Sequence, residues 1–268
     1  MNGAEFGRRV LLSLWSRSAT VALLLLGATY AGYAVVGQLV PGPAAAGWFA
    51  LAGSLVVVET AVLFASLPKN RRTSGDDLGD DATGTTLLRG LGGANVVTLA
   101  RGALFAWVGG FLLVPLVGLV AWFPALAYGL GAALDAVDGA VARATDRVTA
   151  LGSALDAEFD GLGILLASVV GVAAGQLPAA YLVAGGTRYV WLVAVTVRRR
   201  RNRPLHDLPE RRSRRVLAGL QMAFCFVALL PVTPSAVGDA GALLLGGPFV
   251  LGFVRDWLYL SGRLRAGE

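Results

Sequence analysis

Four aspartates, Asp135, Asp138, Asp156 and Asp160, crowd one short window of a chain with only 17 acidic residues. The first two are spaced i, i+3 and the last two i, i+4, so on helices each pair shares a face. A tight connection between two such helices brings all four carboxylates together. Converging carboxylates repel one another, and near hydrocarbon they are costly unless a cation intervenes. An all-oxygen donor set suits a hard divalent ion, Mg²⁺ or Mn²⁺. No His or Cys stands near the window, which argues against zinc. Two such ions can clamp a pyrophosphate and draw charge from it during phosphoryl transfer. Gly139 and Gly152 let a nucleotide or a neighbouring helix approach the backbone. Arg143 can pair with a phosphate or with a structural carboxylate. The same spacing also fits a solvated rim whose acids pair with arginines, or an ion pathway. Asp146 and Glu158 lie off the main spacing and read as solvated or supporting groups.

The elements that hold this window are set by hydropathy. Residues 18–58, 102–134, 161–187 and 216–238 contain no Asp, Glu, Lys or Arg. A spanning helix needs about 20 apolar residues, and a cleaved signal peptide would account for the first run alone. Breaks at Pro41-Gly42-Pro43, between Leu113 and Trp122, and at Gly175-Gln176 divide the runs. Helices are expected near 17–37, 46–67, 95–113, 119–137, 151–174, 177–197, 215–232 and 240–257. The predicted fold is an all-α integral membrane protein of about eight transmembrane helices, a six-helix body behind an N-terminal hairpin. Its expected parts are the hairpin (1–69), a polar linker (70–93), the body (94–258) and a tail (259–268). Lys and Arg cluster at every second turn and are missing from the turns between. The positive-inside rule then places both termini and the acidic window on the cytoplasmic face of a multi-pass cell-membrane protein.

Composition agrees with membrane residence. Hydrophobic residues make up 56% of the 268 residues and charged ones 15%, too few charges for an ordinary soluble surface. The formal net charge of +6 borders apolar runs, so an anionic lipid surface is the expected partner and nucleic acid is not. The single Cys225 has no partner in the chain, so redox compartment is not encoded. Trp15, Trp48, Trp122, Trp257 and Tyr259 suit an interfacial belt. Arg255 and Asp256 read as an interfacial anchor. Arg188, inside the sixth helix, is either a substrate-phosphate or acid-pairing group or a snorkelling one. Glu59, in the hairpin, pairs with the body or marks an interface.

The acidic window resembles the signature of the CDP-alcohol phosphatidyltransferase family at all eight fixed positions: Asp135, Asp138, Gly139, Ala142, Arg143, Gly152, Asp156 and Asp160. The resemblance covers about residues 87–258. It implies transfer of a phosphatidyl-like group from a CDP-linked lipid donor to a small alcohol acceptor, with release of CMP, in phospholipid biosynthesis. It further implies that the four aspartates hold a dinuclear Mg²⁺ or Mn²⁺ centre and that Gly139, Ala142, Arg143 and Gly152 line the CDP site. Asp160, matching the last Asp, would be the catalytic base. Asn95-x-x-Thr98-x-x-Arg101 is similar to a stretch that often opens the first core helix of this family. Its three residues are candidates for cytosine or phosphate contact, against helix capping and snorkelling. Many members that use phosphorylated acceptors carry Lys or Arg after the fourth Asp, where this chain has Gly161. That departure points away from glycerol phosphate and inositol phosphate. Membrane lipids and a second copy of the chain are the other candidate partners. A transporter using intramembrane acids and an inactive membrane scaffold are the competing readings.

Overall fold

The computed structural model describes residues 3–71, 87–88, 90–144, 149–208 and 212–264. Most of the expected polar linker, together with Arg89, Asp146, Arg147, Arg211 and Arg265, lies outside these residues. So do the side chains of Arg8, Arg9, Ala142, Arg143 and Arg212.

Regular structure is helical. The long helices are α1 (Gly3–Val36), α2 (Gly42–Ser66), α3 (Gly93–Gly110), α4 (Phe123–Ala144), α5 (Ala150–Ala173), α6 (Leu182–Arg200) and α7 (Arg212–Leu229). A final rod is built from α8 (Ser235–Gly241), a five-residue π stretch (Ala242–Gly246) and α9 (Gly247–Leu260). The π stretch ends just before Pro248. Proline has no N–H for the preceding turn and its ring crowds that turn's carbonyl, so the ladder widens there. α2 starts on Gly42-Pro43, where a missing N–H costs nothing.

Among the described residues, six stretches are long and apolar enough to cross a membrane: Val10–Val36, Gly42–Lys69, Gly93–Leu113, Gly118–Gly139, Ala179–Arg200 and Ser235–Leu260. This is fewer than the eight expected. α5 and α7 fall short because Asp156, Glu158 and Asp160 lie in the one, and Arg212, Arg214 and Arg215 open the other. Leu23, Leu24, Val190, Leu243 and Leu251 point outward. Apolar side chains turned away from the bundle are what a lipid-facing wall requires. The chain is an all-helical membrane protein.

α3 is the hub, packed against α2, α4 and α5. Its Phe105 ring is fully buried and fills space left by two glycines. A Cβ at Gly131 of α4 would stand 2.6 Å from that ring, and one at Gly163 of α5 would stand 2.8 Å away. Neither approach leaves room for a side chain, so the glycines set how closely the three acid- and arginine-bearing helices meet.

The hairpin of α1 and α2 covers another face of α3. Trp48 is fully buried there, so its expected place in the interfacial belt is corrected. Its Nε1–H donates to the Trp107 carbonyl at 3.1 Å, and Trp107 Nε1–H donates to Thr29 Oγ1 at 2.9 Å. Gly110 gives the indole its space. Trp15 and Trp122 are exposed, as a belt requires. Glu59 is buried against Gly102, and neither carboxyl oxygen has a hydrogen-bond partner among the described residues.

Candidate active site

The C-terminal end of α4 carries Asp135 and Asp138, and the N-terminal end of α5 carries Asp156 and Asp160. Thr149 starts α5 in the right place. Its Oγ1 accepts the Gly152 N–H at 3.0 Å, an N-cap that satisfies one orphan donor of the first turn. The Ala150 N–H donates to the Arg71 carbonyl at 3.1 Å and ties this end to the segment after α2.

Three of the four aspartates converge. One carboxylate oxygen from each of Asp135, Asp156 and Asp160 lies within 4.8 Å of the others. Asp138 turns inward instead and is buried. Its Oδ2 lies 2.9 Å from the Thr98 hydroxyl, which is also 3.0 Å from the Ala94 carbonyl and donates to one of them at a time.

Arg101 stands at the centre of the cluster and is fully buried. Its Nη1 pairs with Asp135 and lies 4.0 Å from Asp138 Oδ2. Its Nη2 pairs with Asp156 and lies 3.3 Å from Asp160 Oδ1. Snorkelling is thereby corrected for Arg101, which points into the acids. Asn95 is likewise no cap. Its side-chain amide donates to the Leu91 carbonyl at 2.7 Å, and its Oδ1 lies over Gly152, where a Cβ would stand 2.6 Å away. Asn95, Thr98 and Arg101 thus share the inner face of α3, as their spacing predicts. Gly139 lies on α4 directly after Asp138.

Among the described residues one guanidinium faces four carboxylates, which it cannot neutralise. Asp160 Oδ1 is buried and, although near Arg101, accepts no hydrogen bond among the described residues. An orphaned buried oxygen beside two more carboxylate oxygens is an electrostatic deficit that a cation fills. The donor set is all oxygen and therefore fits a hard divalent ion. Asp135, Asp156 and Asp160 can hold one.

A cavity of about 340 Å³ opens beside Asp160, between α5, α6, α7 and α9. Arg188 and Arg214 reach its rim, each already paired. Arg188 Nη2 donates to Glu158 Oε1 at 2.8 Å. Arg214 Nε and Nη2 donate to the two oxygens of Asp256 at 2.6 and 2.9 Å. Of the roles open to Arg188, acid pairing is the one observed. Asp256 is corrected from interfacial anchor to cavity wall. Its pairing with Arg214 joins residues 42 apart, which no local spacing reveals.

The chain matches the family model for CDP-alcohol phosphatidyltransferase over residues 92–254, more than half of its length. It belongs to that family. No curated protein and no solved structure matches the chain. The CDP-alcohol phosphatidyltransferase match begins at the N-cap of α3 and ends inside α9, so the hairpin of α1 and α2 lies outside it. It contains the acidic cluster, Arg101 and the residues lining the cavity beside Asp160 other than Asp256.

Proposed function

We propose that this protein transfers a phosphatidyl-like group from a CDP-linked lipid to an alcohol and releases CMP. The observation that carries this reading is the convergence of the Asp135, Asp156 and Asp160 oxygens beside a cavity that Asp160 itself lines. Asp135, Asp138, Asp156 and Asp160 would hold two Mg²⁺ or Mn²⁺ ions, which withdraw negative charge from the pyrophosphate. Asp160 takes the proton from the acceptor hydroxyl. The hydroxyl oxygen bonds to the phosphorus that bears the lipid, and the bond from that phosphorus to the CMP oxygen breaks. Gly139, Ala142, Arg143 and Gly152 line the nucleotide side. Arg101 and Thr98 hold the carboxylates in place, and Asn95 braces the start of α5.

A lateral groove of about 630 Å³ between α4 and α7 begins at Asp135 and runs past Ala132, Gly129 and Leu126. Nine residues of helix rise about 13 Å, so the groove accommodates a hydrocarbon chain whose head rests at the carboxylates. It is the seat of the lipid donor. α5 and α7 cross the bilayer with the six apolar helices, giving eight spans with both termini and the site on the cytoplasmic face. Residues 1–69 brace the catalytic body, 94–258, and the tail, 259–268, follows it. A second copy of the chain is a candidate partner.

The experiment is CMP release from CDP-diacylglycerol by protein in detergent, with Mn²⁺ or Mg²⁺ and with EDTA. Activity should need the metal. Asp160→Asn should lower kcat by about 10²–10⁴-fold, the range of a general base. An unchanged kcat would remove Asp160 as the base.

A further inference from the structure

The cavity beside Asp160 differs from an anion pocket in two respects, charge and depth. Two guanidiniums line it, Arg188 and Arg214. Each is already bound to a carboxylate, Glu158 and Asp256 respectively. Among the described residues, and apart from the cations proposed at the aspartates, both guanidiniums on the wall are balanced by a carboxylate. A phosphate monoester entering here would have to displace one of these ion pairs to gain a guanidinium. Burying an anion without a free counter-charge is unfavourable.

Gly161 shows how the pairing is built. The stem of Arg188 lies across this glycine so closely that any Cβ at position 161 would collide with the Arg188 Cδ. Arg188 therefore fills the space in which a basic side chain at 161 would start. Its Nη2 is held by Glu158, on the same helix as Gly161, while its Nε has no partner among the described residues.

The cavity also descends. From Asp160 it continues to Ile164, from Arg188 to Ala184 and from Asp256 to Phe249. At 1.5 Å per residue these steps lead about 6–10 Å along the helices from the polar rim. Trp191 and Phe253 complete an apolar wall. A small polar alcohol would satisfy the rim and leave this depth without a partner.

We infer that the acceptor is an amphipathic alcohol without a phosphate monoester: its hydroxyl meets Asp160 and its apolar body fills the space below. The inference rests on the transferase reading and names the substrate class of that same site.

The test compares acceptors that differ by one group, with CDP-diacylglycerol as donor: 1-O-octylglycerol, glycerol and sn-glycerol 3-phosphate, with serine as a zwitterionic arm. CMP and lipid product are both measured. kcat/KM should be at least tenfold higher for octylglycerol than for glycerol, and lower for glycerol 3-phosphate and serine than for octylglycerol. A preference for glycerol 3-phosphate or serine, or equal use of glycerol and octylglycerol, would overturn the inference and leave the transferase reading standing. CMP release with none of the four would remove both.

Two variants add independent readings. A Cβ at Gly252 has only Leu217 Cδ1 near it, at 3.7 Å, so a side chain fits there and intrudes on the cavity. Gly252→Leu should raise the KM for octylglycerol at least tenfold and that for CDP-diacylglycerol less than twofold. Glu158→Gln releases Arg188 and should improve glycerol 3-phosphate relative to octylglycerol at least tenfold. Unmoved acceptor constants in both variants would overturn the assignment of this cavity to the acceptor.

Discussion

Two polar clusters lie at the same end of the helix bundle, and their charge arithmetic is opposite. In one, the single guanidinium of Arg101 is shared by Asp135, Asp138, Asp156 and Asp160. In the other, Arg188 and Arg214 each have one carboxylate of their own. Among the described residues the first cluster is left negative, with an orphaned oxygen on Asp160. The second is balanced. An unbalanced cluster near hydrocarbon is stable only when something of opposite charge joins it. A balanced one requires nothing and repels neither a hydroxyl nor a hydrocarbon. Asp160 belongs to the first cluster and lines the cavity of the second, so it sits where a cation-dependent step and a neutral substrate would meet.

Breaking the unbalanced cluster should have the larger effect. Asp156→Asn removes the charge of one of the three converging carboxylates and should lower kcat by about 10³-fold, within the range for lost transition-state charge stabilisation, as read by CMP release. A loss below about tenfold would show that the convergence is incidental. Arg101→Gln acts on stability. Removing one partner of a buried ion pair costs about 3–5 kcal/mol, and the lower end, about 3 kcal/mol, applies because Asp135 and Asp156 are 39% and 44% exposed. Four unneutralised carboxylates then gain more from a divalent ion. The rise in Tm between EDTA and millimolar Mn²⁺ should be greater in Arg101→Gln than in the parent. An equal rise would mean that Arg101 is not the counter-charge of this cluster.

The two clusters were not equally legible. Asp135/Asp138 and Asp156/Asp160 share helix faces at i, i+3 and i, i+4, and both ends of the site lie within one short window. Local periodicity was enough to bring them together. The eight rods were legible for the same reason, since charge-free runs and proline-glycine breaks are local. The Arg214–Asp256 pair and the depth of the cavity were not, because four helices far apart in sequence make them. Trp48 misled because an indole flanked by apolar residues reads the same at an interface as in a core. Only the facing Gly110 and the Trp107 carbonyl decide it. The orientation of Asp138 was not legible either. Its spacing matches its neighbours, yet the hydroxyl of Thr98 on another helix draws it inward.

The smallest expected effect is also the sharpest test of balance. Arg214 and Asp256 are joined by two hydrogen bonds but are 36% and 15% exposed at their side chains, so solvent screening limits the pair to about 1 kcal/mol. Stability alone therefore resolves it poorly. Specificity resolves it better, because single and double substitutions change the charge of the cavity in different directions. Asp256→Asn leaves Arg214 unpaired and adds one positive charge at the wall. It should improve glycerol 3-phosphate relative to octylglycerol. Arg214→Gln leaves Asp256 unpaired and should worsen it. The double substitution restores neutrality without restoring the ion pair, and the preference should return to that of the parent. If the double variant instead resembled either single one, geometry would set the preference and the balanced charge of this cluster would be a by-product of packing.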